Sequence, residues 1–231
     1  MGAIMSNTLV IKVLITGLFC LCTPLLEANG ECRIDPANLC ADTPPKDDGF
    51  VALFNGADLK GWVGNTNGYK AAGGVLVCQA RKSRGAKIYT AKEYANFIFR
   101  FEFKLTPGAN NGVGIRAPLT GNPAKNAFEI QILDNSAKKY AKIKPSQLHG
   151  SIYKRAAAKR GHLKPVGQWN KQEIRAEKNF ITVILNGVTI VDRADVSRYK
   201  KPAKGHICFL GHGSQVEFRN IRIKDLSPPK K

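Results

Sequence analysis

Alternation of apolar and polar residues is clearest between Asn96 and Leu105, where the sequence reads NFIFRFEFKL. Phenylalanine or leucine occupies every second position from 97 to 105, whereas Arg100, Glu102 and Lys104 lie between them. Successive side chains of a strand point to opposite faces of the sheet. The pattern therefore predicts a half-buried antiparallel strand with a nearly all-aromatic core face.

Shorter strand-like runs separated by Gly, Asn and Pro fill most of the chain from Gly49 to Leu226. Asn186-Gly187 joins two apolar runs and is a strong hairpin signal. The apolar parity of the last run switches between Phe218 and Ile221, which predicts a β-bulge near Asn220. No segment holds a long amphipathic helical period, so the pattern predicts an all-β sandwich or barrel. The remaining predicted strands cover 112–117, 127–133, 180–185, 188–191 and 215–223.

The N-terminus has the features of an export signal. Residues 13–26 form an apolar run that is shorter than the roughly 20 residues that span a bilayer. Small Ala28 follows, so we predict a signal peptide over 1–28 and a secreted or periplasmic protein. The alternative is an uncleaved N-terminal anchor. An irregular leader would then cover 29–48, the sandwich 49–226 and a solvated tail 227–231.

Four cysteines remain after the predicted cleavage, and an exported chain permits disulfides. Cys32 and Cys40 flank a short loop and are the expected pair. Cys78 and Cys208 lie in apolar strand contexts, which favours free buried thiols. No cysteine or histidine cluster has the spacing of a structural zinc site.

The formal net charge of +19 is large, and its basic runs lie at 81–87, 138–144, 154–160 and 200–204. A solvated basic surface is one interpretation, and attraction to acidic or sulfated glycans is another. Nucleic acid is not favoured as a partner, because aromatic residues do not interleave with these runs to form a stacking platform. The long, basic stretch over 135–166 is expected to be a functional or irregular loop.

Strand parity identifies a candidate polar face. If strands 112–117 and 127–133 are neighbours, Arg116, Glu129 and Gln131 share one surface, which Gly112 and Gly114 leave open. A cation, a carboxylate and an amide can hydrogen-bond sugar hydroxyls. These residues could also be ordinary solvent-facing positions of an antiparallel sheet.

A conventional glycosidase needs two carboxyl groups about 5–9.5 Å apart. Glu129 and Asp134 do not supply them, since five strand residues span ~16 Å and an odd separation turns the side chains to opposite faces. Asp134 is therefore interpreted as a strand-end or turn residue. His149 and His212 lie in Gly-containing loops and are candidate site residues. Trp169 could stack on a sugar or pack in the core.

Several motifs, occurring in order, resemble the bacterial 3-keto-disaccharide hydrolase domain family. The resemblance covers about 49–226 and implies a concanavalin-like jelly-roll β-sandwich with its ligand on the concave face. It also implies cleavage of glycosides that are already oxidised to a ketone at sugar carbon 3. The family usually has Asn-Ser-Gly where this chain has Asn110-Asn111-Gly112. The motifs are FVALFNGADLKGW, GGVLVCQ, IYTAKEYANFIFRFEFKL, NNGVGIRAP, FEIQILDN, LHGSIY, PVGQWNKQEI, LNGV and GHGSQVEFRNIRIKDL.

Elimination from a 3-keto sugar needs one general base, a donor for the enolate and an acid for the leaving group. We assign base and acid to Glu129 and His149, in either order, and the enolate or ketone contact to Arg116. Expected substrate-binding residues are Asn111, Gln131, Asp134, Tyr153, Trp169 and His212.

The sequence requires no cofactor, although Glu129, Asp134 and His149 could together ligate a divalent metal. Two other functions stay open. One is a non-catalytic, lectin-like carbohydrate-binding module on the same fold. The other is a basic extracellular polyanion binder, whose binding would weaken steeply with salt.

Overall fold

A computed structural model describes residues 48–228, and nearly all of its regular structure is β. A short helix, α1 (Pro123–Asn126), and several 3-10 turns interrupt the strands. The strands are β1 (Val51–Ala52), β2 (Trp62–Asn65), β3 (Tyr69–Ala72), β4 (Val75–Cys78), β5 (Lys87–Tyr94), β6 (Phe97–Leu105), β7 (Asn110–Ala117), β8 (Phe128–Leu133), β9 (Trp169–Glu177), β10 (Phe180–Leu185), β11 (Val188–Asp195), β12 (Gly205–Gly211) and β13 (Val216–Asp225).

The strands form two antiparallel sheets. The eight-stranded sheet has the order β11-β10-β9-β6-β13-β4-β3, with β1 paired to β13. The five-stranded sheet has the order β2-β5-β12-β7-β8. A continuous apolar core joins the inner faces of the two sheets. The predicted all-β, jelly-roll sandwich class is therefore confirmed.

β6 lies in the eight-stranded sheet between β9 and β13 and has the two faces that its alternation predicts. Phe97, Phe99 and Phe103 are fully buried, and the ring of Phe101 packs edge-on against Phe209 from the opposite sheet. Burying a side chain of this size contributes about 1.5–3 kcal/mol relative to leaving it exposed. β6 is thus a main contributor to the core that holds the sheets together.

The two predicted backbone features are confirmed. Asn186 and Gly187 both have positive φ, 50° and 87°, in the tight turn that joins β10 to β11. Such a turn matches the right-handed twist of the flanking strands. In β13 the register shifts between Arg219 and Arg222, and Asn220 has a φ of 51°. This β-bulge keeps both Phe218 and Ile221 in the core.

Several expectations concern residues outside the described range. The signal peptide, nearly all of the leader and the Cys32–Cys40 disulfide fall before residue 48. Within the described range, Cys78 and Cys208 are free and buried, as predicted. Between residues 48 and 228, no helix is long and apolar enough to cross a membrane.

Candidate active site

A cleft of about 380 Å³ lies on the outer face of the five-stranded sheet. Alternate residues of β8 separate the two faces: Ile130 and Ile132 enter the core, whereas Glu129 and Gln131 line the cleft. The loop after β8 covers its free edge, because Gln131 N–H donates to Ser151 O and Gly150 N–H donates to Gln131 O. Strand, loop and α1 together enclose this face.

Glu129 is buried in the cleft wall, with 6% of its surface exposed. β7 and β8 pair Gly114 with Glu129, and the Glu129 side chain leans diagonally over Gly112. A Cβ atom added at Gly112 would lie 2.3 Å from Glu129 Oε1. Glycine at 112 therefore provides the space that the carboxyl group occupies.

Burial raises the pKa of Glu129 to about 7. Loss of water disfavours the charged form of a carboxylic acid, and among residues 48–228 no donor or cation offsets that loss through a direct hydrogen bond or ion pair. A carboxyl group with this pKa changes its protonation state near neutral pH. It can therefore accept a proton from a bound ligand and return it.

Amide and hydroxyl groups lie beside the carboxyl group. Gln131 Nε2 donates to Asn110 Oδ1 at 2.9 Å, which fixes both amides on the cleft wall. The Tyr153 backbone N–H donates to Glu129 O, and the Tyr153 hydroxyl accepts from Gln147 Nε2 at 3.1 Å. Since the hydroxyl accepts there, its own proton remains available to a ligand.

The rest of the rim is basic. Arg84, Lys87 and His212 line the cleft. Among the described residues that line it, Glu129 is the only acidic one. The His212 ring is exposed at the mouth of the cleft. Protein atoms near the ring displace water from it, which disfavours the charged imidazolium and lowers the pKa of His212, and the positive charge of Lys87 lowers this pKa further. His212 is consequently a neutral donor or acceptor at pH 7.

The prediction that Arg116 shares a face with Glu129 is wrong. Between the pairs His206–Ala117 and Cys208–Gly114, β7 has one more residue than β12, and Arg116 has a φ of 53°. This bulge turns its side chain away from the cleft. The Arg116 guanidinium instead donates to two backbone carbonyl groups, those of Ala95 and Lys178, at 2.7 Å each.

His149 also lies away from the cleft, contrary to the expectation that it acts there with Glu129 as acid or base. It is buried, its ring packs on Phe103 with centroids 5.0 Å apart, and its Nδ1 accepts from the Leu133 N–H at 3.2 Å. Burial lowers its pKa to about 3 despite the neighbouring Gln172. A neutral, enclosed imidazole of this kind stabilises the loop over β8.

Three residues that were expected to contact the sugar make other contacts, away from the cleft. Asn111 is buried and its Nδ2 donates to Cys78 Sγ, because parity directs it to the core with Val113. Asp134 forms a turn, in which its carboxylate accepts from Ser136 and from the Gly108 N–H, as its strand-end interpretation predicts. Trp169 lies on the eight-stranded sheet beneath Lys104 and Arg219.

The proposed metal ligands are not grouped. Among the described residues, no three His, Cys, Asp or Glu side chains are close enough to hold a metal ion. Glu129, Asp134 and His149 therefore do not form a shared ligand set.

Sequence reasoning missed Asn110, Arg84 and Lys87, all of which line the cleft. Asn110 could have been found, because it lies two residues before Gly112 and has the same parity. Lys87 opens β5 within a basic run, where nothing in the sequence separates it from its exposed neighbours.

Known proteins resemble this chain across its described part. The curated 3-keto-disaccharide hydrolase of Bacteroides thetaiotaomicron is 24% identical over 79% of this chain and 80% of that protein. A candidate glycosyl hydrolase structure from Parabacteroides distasonis is 30% identical, with a TM-score of 0.68, over 77% of this chain and 99% of that one. The carbohydrate-binding module CBM66 of Bacillus subtilis shares the fold, at 12% identity and a TM-score of 0.51.

The family model for the 3-keto-alpha-glucoside-1,2-lyase-like domain matches residues 49–224. This range contains every residue of the cleft and all of both sheets except Asp225, the last residue of β13. The chain belongs to the family of 3-keto-alpha-glucoside-1,2-lyase-like domains.

Proposed function

We propose that this protein is a carbohydrate-active hydrolase that cleaves 3-keto-glycosides by elimination followed by hydration. One observation carries the proposal: Glu129 is a buried carboxyl group without a direct ion-pair partner among the described residues, in a cleft whose other charged groups are cations. The family membership and the 3-keto-disaccharide hydrolase relative support this choice of substrate.

Glu129 is the proposed general base. A ketone at carbon 3 acidifies the hydrogen on carbon 2, so one carboxylate can remove that proton and leave an enolate. A base with a pKa of about 7 suits this task near neutral pH, because it is substantially ionised and still basic. No second carboxylate is required for this chemistry.

The cationic rim would stabilise the enolate. Negative charge develops on the carbon 3 oxygen, and positive groups close to that oxygen lower the energy of that state. Lys87 and Arg84 are the lysine and arginine that line the cleft in the described part of the chain. They take the role of contacting the enolate oxygen, which the sequence had assigned to Arg116. Gln131 and Asn110 would hold the sugar hydroxyls.

Collapse of the enolate breaks the bond between carbon 1 and the glycosidic oxygen. That oxygen needs a proton as it leaves, and the Tyr153 hydroxyl can donate one. Water then adds to the enone: its oxygen bonds to carbon 1, the Glu129 proton returns to carbon 2, and the proton that the water loses restores the Tyr153 hydroxyl. The net result is hydrolysis to a 3-keto sugar and a free alcohol.

A deuterium experiment tests the mechanism. Cleavage of a 3-keto-glucoside in D₂O should place deuterium on carbon 2 of the released sugar, because Glu129 exchanges its proton with solvent before returning it. The unoxidised glucoside should not react. Aglycone release without deuterium at carbon 2 would contradict elimination and favour direct hydrolysis.

The same assay separates the lectin-like alternative. That function predicts saturable binding of the 3-keto-glucoside with aglycone release at the background rate. A polyanion binder would instead bind heparin-like chains with an affinity that falls steeply as salt rises.

Export to the periplasm or beyond is proposed from the N-terminal sequence, and detection of a processed chain in the extracellular or periplasmic fraction would test it.

A further inference from the structure

A second cavity, of about 420 Å³, adjoins the cleft. Asn122, Ala124 and Tyr153 line both cavities, so the two are contiguous. The remaining lining residues of the second cavity are Lys125, Lys154, Arg155 and Tyr199.

The second cavity is cationic. Lys125, Lys154 and Arg155 line it, and no acidic residue is found among its described lining residues. Lys125 and Lys154 are exposed, and the ammonium of Lys201 contacts the Lys125 backbone carbonyl oxygen. Cations that converge on a concave surface concentrate anionic ligands there.

Arg155 is held rigidly in this cavity. Its guanidinium lies 4.7 Å from the ring centroid of Phe128 and 4.6 Å from that of Tyr199, and its Nη2 donates to Ala124 O at 3.1 Å. Its Nη1 is buried and has no hydrogen-bond partner in the described part of the chain. A guanidinium ordered before ligand arrives loses little entropy when it pairs with a carboxylate or sulfate.

We propose that the second cavity binds the leaving group of the substrate and selects one that carries a carboxylate or sulfate. The inference rests on the proposed function, in which the ring that bears the ketone must lie against Glu129 in the first cavity. Tyr153 stands on the boundary between the cavities, where the glycosidic oxygen would lie. The preferred substrates are then 3-keto-glycosides of uronic acids or sulfated sugars.

Two 3-keto-disaccharides test this selectivity, one with a glucose leaving ring and one in which carbon 6 of that ring is a carboxylate. At low ionic strength we expect kcat/KM to be higher for the carboxylate substrate than for the neutral one. Each lysine that approaches the anion to about 4 Å should contribute a factor of about five. The preference should shrink as salt is added, because exposed charges are screened.

Matched variants locate the effect. In the Lys125→Gln/Lys154→Gln protein the ratio of the two kcat/KM values should fall towards one. The Lys70→Gln/Lys171→Gln protein loses the same charge from exposed positions on the other sheet and should keep the wild-type ratio. A wild-type ratio near one, or an equal fall in both variants, would overturn the inference while leaving the proposed function intact.

Binding separates this inference from the reaction itself. The Glu129→Gln protein should bind the carboxylate disaccharide at least fivefold more tightly than the neutral one, by calorimetry at low salt. This result would support the second site even if wild-type protein cleaved neither compound, in which case the proposed function alone would fail. Equal affinities would contradict the anionic subsite.

Discussion

Glu129 and Glu102 are buried to a similar extent on the outer faces of opposite sheets, with 6% and 8% of their surfaces exposed. Glu102 accepts from Arg219 Nε at 2.8 Å and from Asn220 Nδ2 at 3.0 Å. Glu129 has no such partner among the described residues, and its pKa is raised to about 7. The difference shows that the partners of a buried carboxylate, rather than its burial alone, distinguish a structural ion pair from a group available for proton transfer.

Replacing each glutamate with glutamine is the strongest test of this comparison. Glu129→Gln should lower kcat/KM on a 3-keto-glucoside by about 10²–10⁴-fold, because glutamine cannot accept the proton. Glu102→Gln is the matched control and should leave kcat/KM nearly unchanged. It should cost at most about 1 kcal/mol of stability, since the Arg219 side chain is 41% exposed. Steady-state kinetics and urea unfolding measure both effects, and an active Glu129→Gln protein would refute the assignment.

Gly112→Ala should damage activity more than the fold. The new Cβ would meet Glu129 Oε1 at 2.3 Å, so the carboxyl group must move. A displacement of about 1 Å in a reacting group can lower the rate about 10²-fold. We expect a kcat/KM loss of that order while circular dichroism still shows a folded β protein. Wild-type kinetics in this variant would indicate that the position of the carboxyl group is not critical.

Stability should depend on pH through Glu129. Its pKa is raised from 4.5 to about 7 on folding, so the folded state binds the proton more tightly. The carboxyl group therefore destabilises the fold increasingly as pH rises from about 4.5 to 7, and by up to about 3 kcal/mol above that range. Glu129→Gln should be more stable than wild type above pH 7 and similar to it below about pH 4. Urea unfolding at pH 4 and pH 8 measures the difference, and an equal effect at both values would contradict the raised pKa.

His149→Asn should affect stability and not chemistry. The substitution removes the packing on Phe103 and weakens the bond to the Leu133 N–H, which we expect to cost about 1–3 kcal/mol. The folded variant should have a kcat/KM close to that of the wild-type protein, because the imidazole does not line the cleft. A loss comparable to that of Glu129→Gln would restore His149 as a catalytic residue.

Strand alternation was sufficient to predict the aromatic face of β6 and the orientation of Glu129 and Gln131, and the Asn-Gly dipeptide was sufficient to predict the turn at Asn186-Gly187. These features depend on local sequence patterns, which a sequence records directly. The position of Arg116 could not be predicted, because the bulge in β7 depends on pairing with β12 and no glycine marks it.

Residues in the loop after β8 are the second group whose positions could not be predicted from the sequence. His149 and Tyr153 both lie in the loop after β8, yet Tyr153 reaches the cleft and His149 enters the core. Their positions depend on how the loop pairs with the edge of β8, through Gly150, Ser151 and the bridge between Ile130 and Ile152. Sequence spacing within the loop carries no record of those long-range contacts.

The pH dependence of kcat/KM on a 3-keto-glucoside tests the central claim most directly, because it reports the ionisation of the base in the free enzyme. We expect kcat/KM to rise with pH and level off through an inflection at about pH 7, the pKa of Glu129. The inflection should be absent from the residual activity of Glu129→Gln. An inflection near pH 4.5, or a profile that Glu129→Gln does not alter, would contradict an unpaired, buried Glu129 as the base.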